Sequence, residues 1–167
     1  TGFNGKRLAQ ACKIYEKMIL DPNCTKFLSL AGAMVPAGMQ QIIIEFINRG
    51  FIDILVTTGA NCTHDIAEAL GMGHYQGNIA DGEIKDCDLH QQQINRIYDV
   101  FMPNTVYEKM EKFIRTLDFS NLYSETEILE LIGNSLPSDN SFLKAAAKKK
   151  IPVFVPAFTD SGLAMQI

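Results

Sequence analysis

The segment from Thr57 to Asp65 holds the densest set of residues in this chain whose types could do chemistry. It contains three threonine hydroxyls, an asparagine amide, a thiol, an imidazole and a carboxylate around one glycine, Gly59. An imidazole such as His64 titrates near neutral pH and can carry a proton, and a carboxylate such as Asp65 can bind a cation. A glycine lets a ligand approach the backbone closely. The segment therefore predicts a ligand site.

The same residues also have structural interpretations, which the sequence leaves open. Hydroxyls after a buried strand often cap backbone groups, and His64 with Asp65 fits the start of a helix, where an acid meets the positive end of the dipole. Cys62, His64 and His74 form a third possibility, a metal site, but their spacing does not repeat as in known metal motifs. We therefore predict no metal centre.

A short apolar segment leads into this site. Ile52–Val56 is branched and almost uncharged, which is typical of a strand covered on both faces. Thr63 or Asn61 would cap a helix over Asp65–Leu70. A strand, a polar turn and a helix in this order are typical of the phosphate side of a nucleotide-binding α/β fold.

Two further apolar segments end in the same way, in small or polar residues. Lys26–Leu30 runs into Ala31–Pro36, and Ile151–Pro156 runs into a turn that contains Asp160. Ligands of an open parallel sheet sit outside the carboxyl ends of its strands, so we expect the three ends to face one crevice. Asp160 would bind ribose hydroxyls there, or cap a helix that begins at Ser161.

Helical periodicity dominates the rest of the chain and predicts a three-layer α/β fold with a mostly parallel sheet. Ser124 and Glu127 form a capping-box pattern at one helix start. Residues 71–93 are predicted to be irregular surface chain, and Ile94–Met102 one short strand. The predicted helices are Lys6–Leu20, a segment from Pro36 to Arg49-Gly50, Thr105–Leu117, Ser124–Leu136, Ser138–Lys149 and an apolar start at Leu163–Ile167.

Length and composition predict a single domain of an intracellular protein. The chain has 167 residues, of which 47% are hydrophobic, enough for one sizeable core. A net charge of -4 gives no electrostatic footprint for nucleic acid. The four cysteines are scattered, as expected for reduced thiols in the cytoplasm, and no apolar run is long enough to span a membrane. Without an initiator methionine, and with an apolar pattern that stops at Ile167, the chain is expected to be part of a longer protein.

Six segments together resemble deoxyhypusine synthase in order and spacing. They are Thr1–Asn4, Phe27–Gly38, Asp53–Thr58, Ile94–Arg96, Pro103-Asn104 and Ile151–Asp160. The resemblance covers essentially the whole chain. It implies a Rossmann-like NAD-binding domain, incomplete at its C-terminus, in a homotetrameric enzyme. Such an enzyme moves the aminobutyl group of the polyamine spermidine to a lysine, which implies the hypusine-bearing translation factor as a protein partner.

The resemblance also implies roles for individual residues. The turn at Gly32 and Ala33 would lie against NAD, although these two residues stand where the family usually has a serine and an asparagine. On the residues alone, this turn is not the GxGxxG fingerprint, and small residues there also serve close packing. The cofactor-binding residues that the resemblance implies are Gly32, Ala33, Thr57, Thr58, Gly59 and Asp160.

Three departures from the family pattern concern the substrate. Thr63 and His64 replace a pair of glutamates before Asp65, and Met165 stands where a second aspartate holds the polyamine. The family's nucleophilic lysine would lie beyond Ile167. We therefore predict a divergent member that acts on a shorter or less cationic amine, or on one held by acids in the missing half of the protein. Thr63, His64 and Asp65 would lie at the substrate, with His64 as a catalytic proton carrier. The alternative is an NAD-binding regulatory or structural homologue without transferase chemistry.

Overall fold

The computed structural model describes residues 2–77 and 84–167 and shows a mixed α/β fold. The part of the predicted irregular chain at 78–83 lies outside these described residues. The helices are α1 (Phe3–Leu20), α2 (Gln40–Asn48), α3 (Gly59–Ala69), α4 (Asp86–Gln91), α5 (Thr105–Ile114), α6 (Glu125–Ser135) and α7 (Phe142–Lys149), with a 3-10 turn at Ala164–Gln166. The strands are β1 (Phe27–Ser29), β2 (Ile54–Val56), β3 (Tyr75–Gln76), β4 (Ile94–Ile97), β5 (Val100–Pro103) and β6 (Val153–Phe154).

Three strands form a parallel sheet in the order β1-β2-β6. Leu55 in the central strand pairs with Leu28 on one side and Val153 on the other, and its side chain is fully buried. The sheet brings together all three apolar segments, and its parallel pairing is as predicted. Because parallel strands share a direction, their carboxyl ends open at one edge.

A second sheet, which the sequence did not predict, is antiparallel in the order β3-β5-β4. The prediction of one strand across Ile94–Met102 is wrong, because the chain reverses at Tyr98 and Asp99 to form a hairpin of β4 and β5. Tyr98 takes a positive φ of 58°, a conformation that usually requires glycine or asparagine. The turn therefore lacks the glycine or asparagine from which such a turn is normally predicted.

The start of α3 also differs from the prediction. The helix begins at Gly59 rather than Asp65, and its cap is Thr58, whose hydroxyl accepts a hydrogen bond from Asn61 N at 3.3 Å. The segment from Asn61 to Thr63 is therefore the buried first turn of a helix instead of an open polar turn.

The N-terminal caps of α6 and α7 can also be compared with the prediction. The capping box of α6 is confirmed, with Ser124 N donating to Glu127 Oε2 at 2.7 Å and Glu127 N donating to Ser124 Oγ at 3.4 Å. α7 begins four residues later than predicted, because Ser141 rather than Ser138 accepts the capping hydrogen bond from Lys144 N at 3.0 Å. Helix α4 was not predicted, since it lies in residues that were expected to be irregular surface chain. The remaining helix bounds agree with the prediction to within a few residues, apart from the 3-10 turn at the end.

The main core lies where α2, α6 and α7 pack together and against the parallel sheet. Phe142, Ile132 and Ile47 are each fully buried in it. Gly133 allows the close crossing of α6 over α7, since a Cβ there would lie 2.5 Å from the carbonyl oxygen of Leu143. A smaller cluster around Met102 packs between β5, α3 and α5.

Helix α1 stands apart from this core, since none of its residues is buried. Its contact with the rest of the chain includes Tyr15, which stacks on Phe46 and donates a hydrogen bond to the carbonyl oxygen of Phe51 at 2.7 Å. Leu8 and Ile14 are 67% and 60% exposed. Within the described ranges, no helix combines the length and apolar character that crossing a lipid bilayer requires.

Candidate functional site

A polar cavity of about 280 Å³ opens between α3, α5 and the loop that follows β6. Its walls include Thr63, His64 and Tyr107 on the helices, and Asp160 and Met165 on the loop. Four of these residues, all but Tyr107, are positions that the sequence singled out. The structure therefore brings the ends of β2 and β6 together at one cavity, on the predicted edge of the sheet.

His64 is the first member of a hydrogen-bonded chain that leads away from this cavity. Its Nδ1 lies 2.8 Å from His74 Nε2, and the two rings meet edge to face with centroids 4.8 Å apart. His74 Nδ1 lies 2.5 Å from Glu68 Oε1, which also accepts the backbone N–H of His74 at 3.1 Å. A carboxylate and two imidazoles are thus joined in series, ending at the cavity wall.

The imidazole of His64 is neutral at physiological pH. Burial, with a smaller contribution from the neighbouring His74, lowers its pKa to about 4. A neutral imidazole has one nitrogen with a lone pair and one that carries a proton, so His64 can accept a proton but does not attract anions by charge. This neutrality distinguishes the site from one lined by carboxylates.

Asp65 lies next to His64 in sequence but does not line the cavity. Its carboxylate is fully buried and accepts four hydrogen bonds, from Gln40 Nε2, Ser141 Oγ and the backbone N–H groups of Phe142 and Leu143, at 2.6 to 3.1 Å. Burial raises its pKa to about 6, although these donors act in the opposite direction. Asp65 joins α3 to the first turn of α7, and this placement does not fit the predicted contact with substrate.

Thr63 and Gly59 hold the cavity walls together. Thr63 Oγ1 donates to the carbonyl oxygen of Gly59 at 2.9 Å and accepts the backbone N–H of Leu163 at 3.0 Å. A side chain at position 59 would collide with Cβ of Ser161, so glycine is needed for α3 to approach the loop after β6. Both residues fix the distance between the two strand ends.

The turn after β1 lies on the other side of the α3 start. Thr58 Oγ1 donates to the carbonyl oxygen of Gly32 at 2.9 Å, and the side chain of Asn61 bonds both Ala31 O and Val35 N at 3.2 Å. Gly32 and Ala33 are at least partly exposed, and within the described chain no hydrogen bond is found from either backbone N–H. These two amides are candidates for hydrogen bonds to the acceptor oxygens of a ligand.

Thr57 differs from its neighbour Thr58. The side chain of Thr57 is buried and its hydroxyl accepts a hydrogen bond from Asn61 Nδ2 at 3.1 Å. Thr58 and Asp160 are more exposed, as a ligand contact requires. The six predicted cofactor residues therefore divide into two buried positions that shape the site, Thr57 and Gly59, and four accessible ones.

Sequence reasoning missed Glu68 and Tyr107 as parts of the site. A signal was present for Glu68, because positions four apart lie on the same face of a helix, and Glu68 follows His64 by four. His74 was grouped with His64 only as a possible metal ligand, and no local pattern predicts their hydrogen bond, since His74 lies beyond the end of α3 in a loop. Tyr107 lies on α5, more than forty residues after His64 in the chain.

The geometry argues against the metal alternative raised from the sequence. A separation of 2.8 Å between His64 Nδ1 and His74 Nε2 is a hydrogen bond and leaves no room for an ion between the two nitrogens. Metal–nitrogen bonds are about 2 Å each, so nitrogens that share a zinc ion lie farther apart. Across residues 2–77 and 84–167, no cluster of His, Cys, Asp and Glu has the arrangement of a metal site.

Comparison with known proteins gives one consistent result. The sequence profile of the family described as "Deoxyhypusine synthase" matches residues 1–167. "Probable deoxyhypusine synthase 1" of Archaeoglobus fulgidus is 43% identical over 171 residues, covering 100% of this chain and 56% of that protein. "Probable deoxyhypusine synthase 1" of Methanosarcina mazei is 44% identical over 168 residues, covering 98% of this chain and 52% of that protein.

The fold agrees with a solved structure of the same description. The "Crystal Structure of a putative deoxyhypusine synthase from Entamoeba histolytica" superposes with a TM-score of 0.68 at 20% sequence identity, covering 100% of this chain and 60% of that one. At this level of sequence identity, the structural similarity supports a shared fold alone. The chain spans about half the length of the curated relatives it matches.

Proposed function

Since this chain belongs to the deoxyhypusine synthase family, we propose that the full-length protein is an NAD-dependent transferase. It moves an aminoalkyl group from a polyamine such as spermidine, or from a smaller amine, to an acceptor amine. The proposed acceptor is a lysine of the hypusine-bearing translation factor. The observation that carries this proposal is the shared direction of β1, β2 and β6, which places the exposed turn after β1 and a polar cavity between the β2 and β6 ends on one edge of the sheet.

The residues at this edge fit NAD. The backbone N–H groups of Gly32 and Ala33 suit the oxygens of a dinucleotide, and they stand beside the N-terminus of α3, which favours phosphate. The exposed carboxylate of Asp160 suits ribose hydroxyls. When bound, NAD supplies a hydride acceptor. We propose that the NAD-binding unit is a Rossmann-like, three-layer domain within a longer chain.

The charges of the cavity favour an amine with few positive groups. Asp160 supplies the one carboxylate among its described lining residues, while His64 is neutral and Met165 is apolar. An ammonium group that leaves water needs a nearby anion, and each unpaired one costs several kcal/mol. We therefore propose a shorter or less cationic donor than spermidine, unless acids from the rest of the protein or a neighbouring subunit complete the site.

The proposal includes a homotetramer in the cytoplasm. Helix α1 supports assembly, because Leu8 and Ile14 project from a helix that buries none of its residues within one chain. All four cysteines are free thiols, which supports a reducing compartment.

The test is NAD reduction by the full-length protein with a panel of amines that differ in length and charge. We expect turnover with a donor of one or two ammonium groups and slower turnover with spermidine, together with NAD binding in calorimetry. Efficient deoxyhypusine formation from spermidine would contradict the proposed divergence in substrate. NAD binding without turnover of any amine would favour the regulatory homologue, and no NAD binding would overturn the proposal.

A further inference from the structure

Glu68, His74 and His64 form a series of hydrogen bonds whose proton positions follow from elementary chemistry. An ionised carboxylate can only accept hydrogen bonds, so the 2.5 Å contact between Glu68 Oε1 and His74 Nδ1 requires the proton on His74 Nδ1. The same oxygen accepts the His74 backbone N–H, which orients the carboxylate and the ring together. The first link therefore fixes the tautomer of His74.

The second link then fixes the tautomer of His64. With a proton on Nδ1, neutral His74 has its lone pair on Nε2, which lies 2.8 Å from His64 Nδ1. His64 Nδ1 must donate in this contact, so the lone pair of neutral His64 is on Nε2. His64 forms part of the cavity wall. The nitrogen of His64 that can accept a proton is therefore the one that is not bonded to His74.

We propose that these three residues are a proton relay, in which His64 Nε2 takes a proton from the ammonium group of the amine substrate and His74, held by Glu68, takes the positive charge. This inference rests on the proposed function, because amine oxidation requires a neutral amine nitrogen. His64 would touch the substrate as a catalytic residue. His74 and Glu68 act through it and are positioning residues.

The proton transfer balances without any further reactant. The substrate N–H bond breaks, its electron pair stays on nitrogen, and a bond forms between the proton and His64 Nε2. The proton on His64 Nδ1 moves to His74 Nε2, so that His64 is neutral again and His74 is an imidazolium with both nitrogens protonated. The charge now lies next to the Glu68 carboxylate, at 2.5 Å.

An isolated His64 would hold an accepted proton poorly, and a relay to His74 removes this difficulty. Burial disfavours a positive charge on His64, whereas His74 has an anionic partner that stabilises one. The groups that bear on the two rings are Glu68 on α3, Tyr107 on α5 and Asp160 on the loop after β6. Of these, Glu68 contacts His74, and the other two line the cavity with His64.

Nuclear magnetic resonance on the full-length protein with labelled histidines tests the relay without turnover. We expect neutral His64 to carry its proton on Nδ1, and the His64 resonances to shift in the variant His74→Gln, whose side chain can fill the space but cannot take a proton. A proton on His64 Nε2 in the neutral protein, or no response to His74→Gln, would overturn the relay.

Kinetics supply the second readout, with His90→Gln on the exposed surface of α4 as the matched control. Loss of general base assistance should lower kcat by roughly 10²-fold at pH 7 in His74→Gln and by less in Glu68→Gln, with KM and NAD affinity unchanged. The deficit should shrink as the pH nears about 10, where the amine arrives unprotonated.

The outcomes separate the relay from the function. A wild type that turns over amines, with a His74→Gln variant that keeps its kcat or loses activity equally at every pH, overturns the relay and leaves the proposed function standing. A wild type that turns over no amine overturns the proposed function and the amine as proton donor. In that case the resonance experiment still decides whether the three residues are coupled.

Discussion

His64 and Asp65 are neighbours on α3. Protonation of one side chain and protonation of the other have opposite effects on the stability of the fold. Burial lowers the pKa of His64 to about 4 and raises the pKa of Asp65 to about 6. The ordinary values in an unfolded chain are about 6.5 for histidine and about 3.9 for aspartate. Both groups therefore prefer the neutral form in the folded protein, and their titrations overlap between about pH 4 and pH 6.

The signs of the two contributions differ. The contribution of neutral His64 is present above about pH 6.5 and is lost as the pH falls toward 4, since the unfolded chain then binds a proton that the fold excludes. The contribution of protonated Asp65 is present below about pH 4 and is lost as the pH rises through 6. Each shift corresponds to about 3 kcal/mol, so the two contributions oppose each other in this window.

We predict that two single variants unmask these opposed contributions in the full-length protein. Between pH 6.5 and pH 4, Asp65→Asn should lose stability more steeply than the wild type as the pH falls, because only the His64 contribution remains. His64→Gln should lose less than the wild type, or gain. Thermal denaturation at several pH values measures the slopes, and three parallel slopes would refute the assignment.

A second residue-scale prediction concerns Asp65 at neutral pH. Asp65→Asn should destabilise the protein by at least about 2 kcal/mol, because an amide NH₂ would then face the backbone N–H groups of Phe142 and Leu143. Asp139→Asn is the matched control, since this exposed aspartate pairs only with the side chains of Lys144 and Lys148 among the described residues and should matter little. Chemical denaturation compares the two, and equal small losses would contradict the linking role of Asp65.

At the scale of elements, the crossing of α6 and α7 depends on a missing side chain. We predict that Gly133→Ala costs about 1–3 kcal/mol, because its Cβ would meet the Leu143 carbonyl at 2.5 Å and the Ala147 Cβ at 3.0 Å. Gly5→Ala in α1 is the control, since nothing lies within 4 Å of its Cβ and alanine favours helix. Urea denaturation should show opposite signs, and a neutral Gly133→Ala would mean that the crossing can relax.

The three parallel strands could be predicted because apolar, branched runs such as Ile52–Val56 have few other uses. The start of α3 could not, because Asn61 and Thr63 are residues typical of turns. They are tolerated inside a helix here since each bonds a neighbouring segment, Asn61 the turn after β1 and Thr63 the loop after β6. Tertiary hydrogen bonds outweighed the local preference.

The candidate site shows the same division. The polar residues that follow each strand could be located from the sequence, because position in a parallel sheet follows from strand direction. The hydrogen bond between His64 and His74 could not be predicted, since His74 reaches His64 through the path of a loop after α3. The hydrogen bonds of Asp65 could not be predicted for a related reason: its four donors come from α2 and from the cap and first turn of α7, which no local pattern connects to it.

At the scale of the whole molecule, α1 offers a test of assembly. We predict that the double change Leu8→Lys with Ile14→Lys lowers the oligomeric state of the full-length protein, because it places two charges on a surface that would be buried between subunits. The control is Gln10→Lys, an exposed polar position of the same helix. Light scattering measures the mass, and an unchanged tetramer in the double variant would exclude this surface from the interface.

The exposure of α1 has a further consequence for the lifetime of its backbone hydrogen bonds. The helix spans 18 residues, or about 27 Å, and within one chain residues 3–14 are all exposed. A helix without packing is close to the coil transition in water, so its amides should exchange with deuterium almost as fast as in an open peptide. In an assembled protein the same amides should be protected for minutes or longer. Exchange along residues 3–14 would thus report, amide by amide, the fraction of time that a neighbour covers this helix.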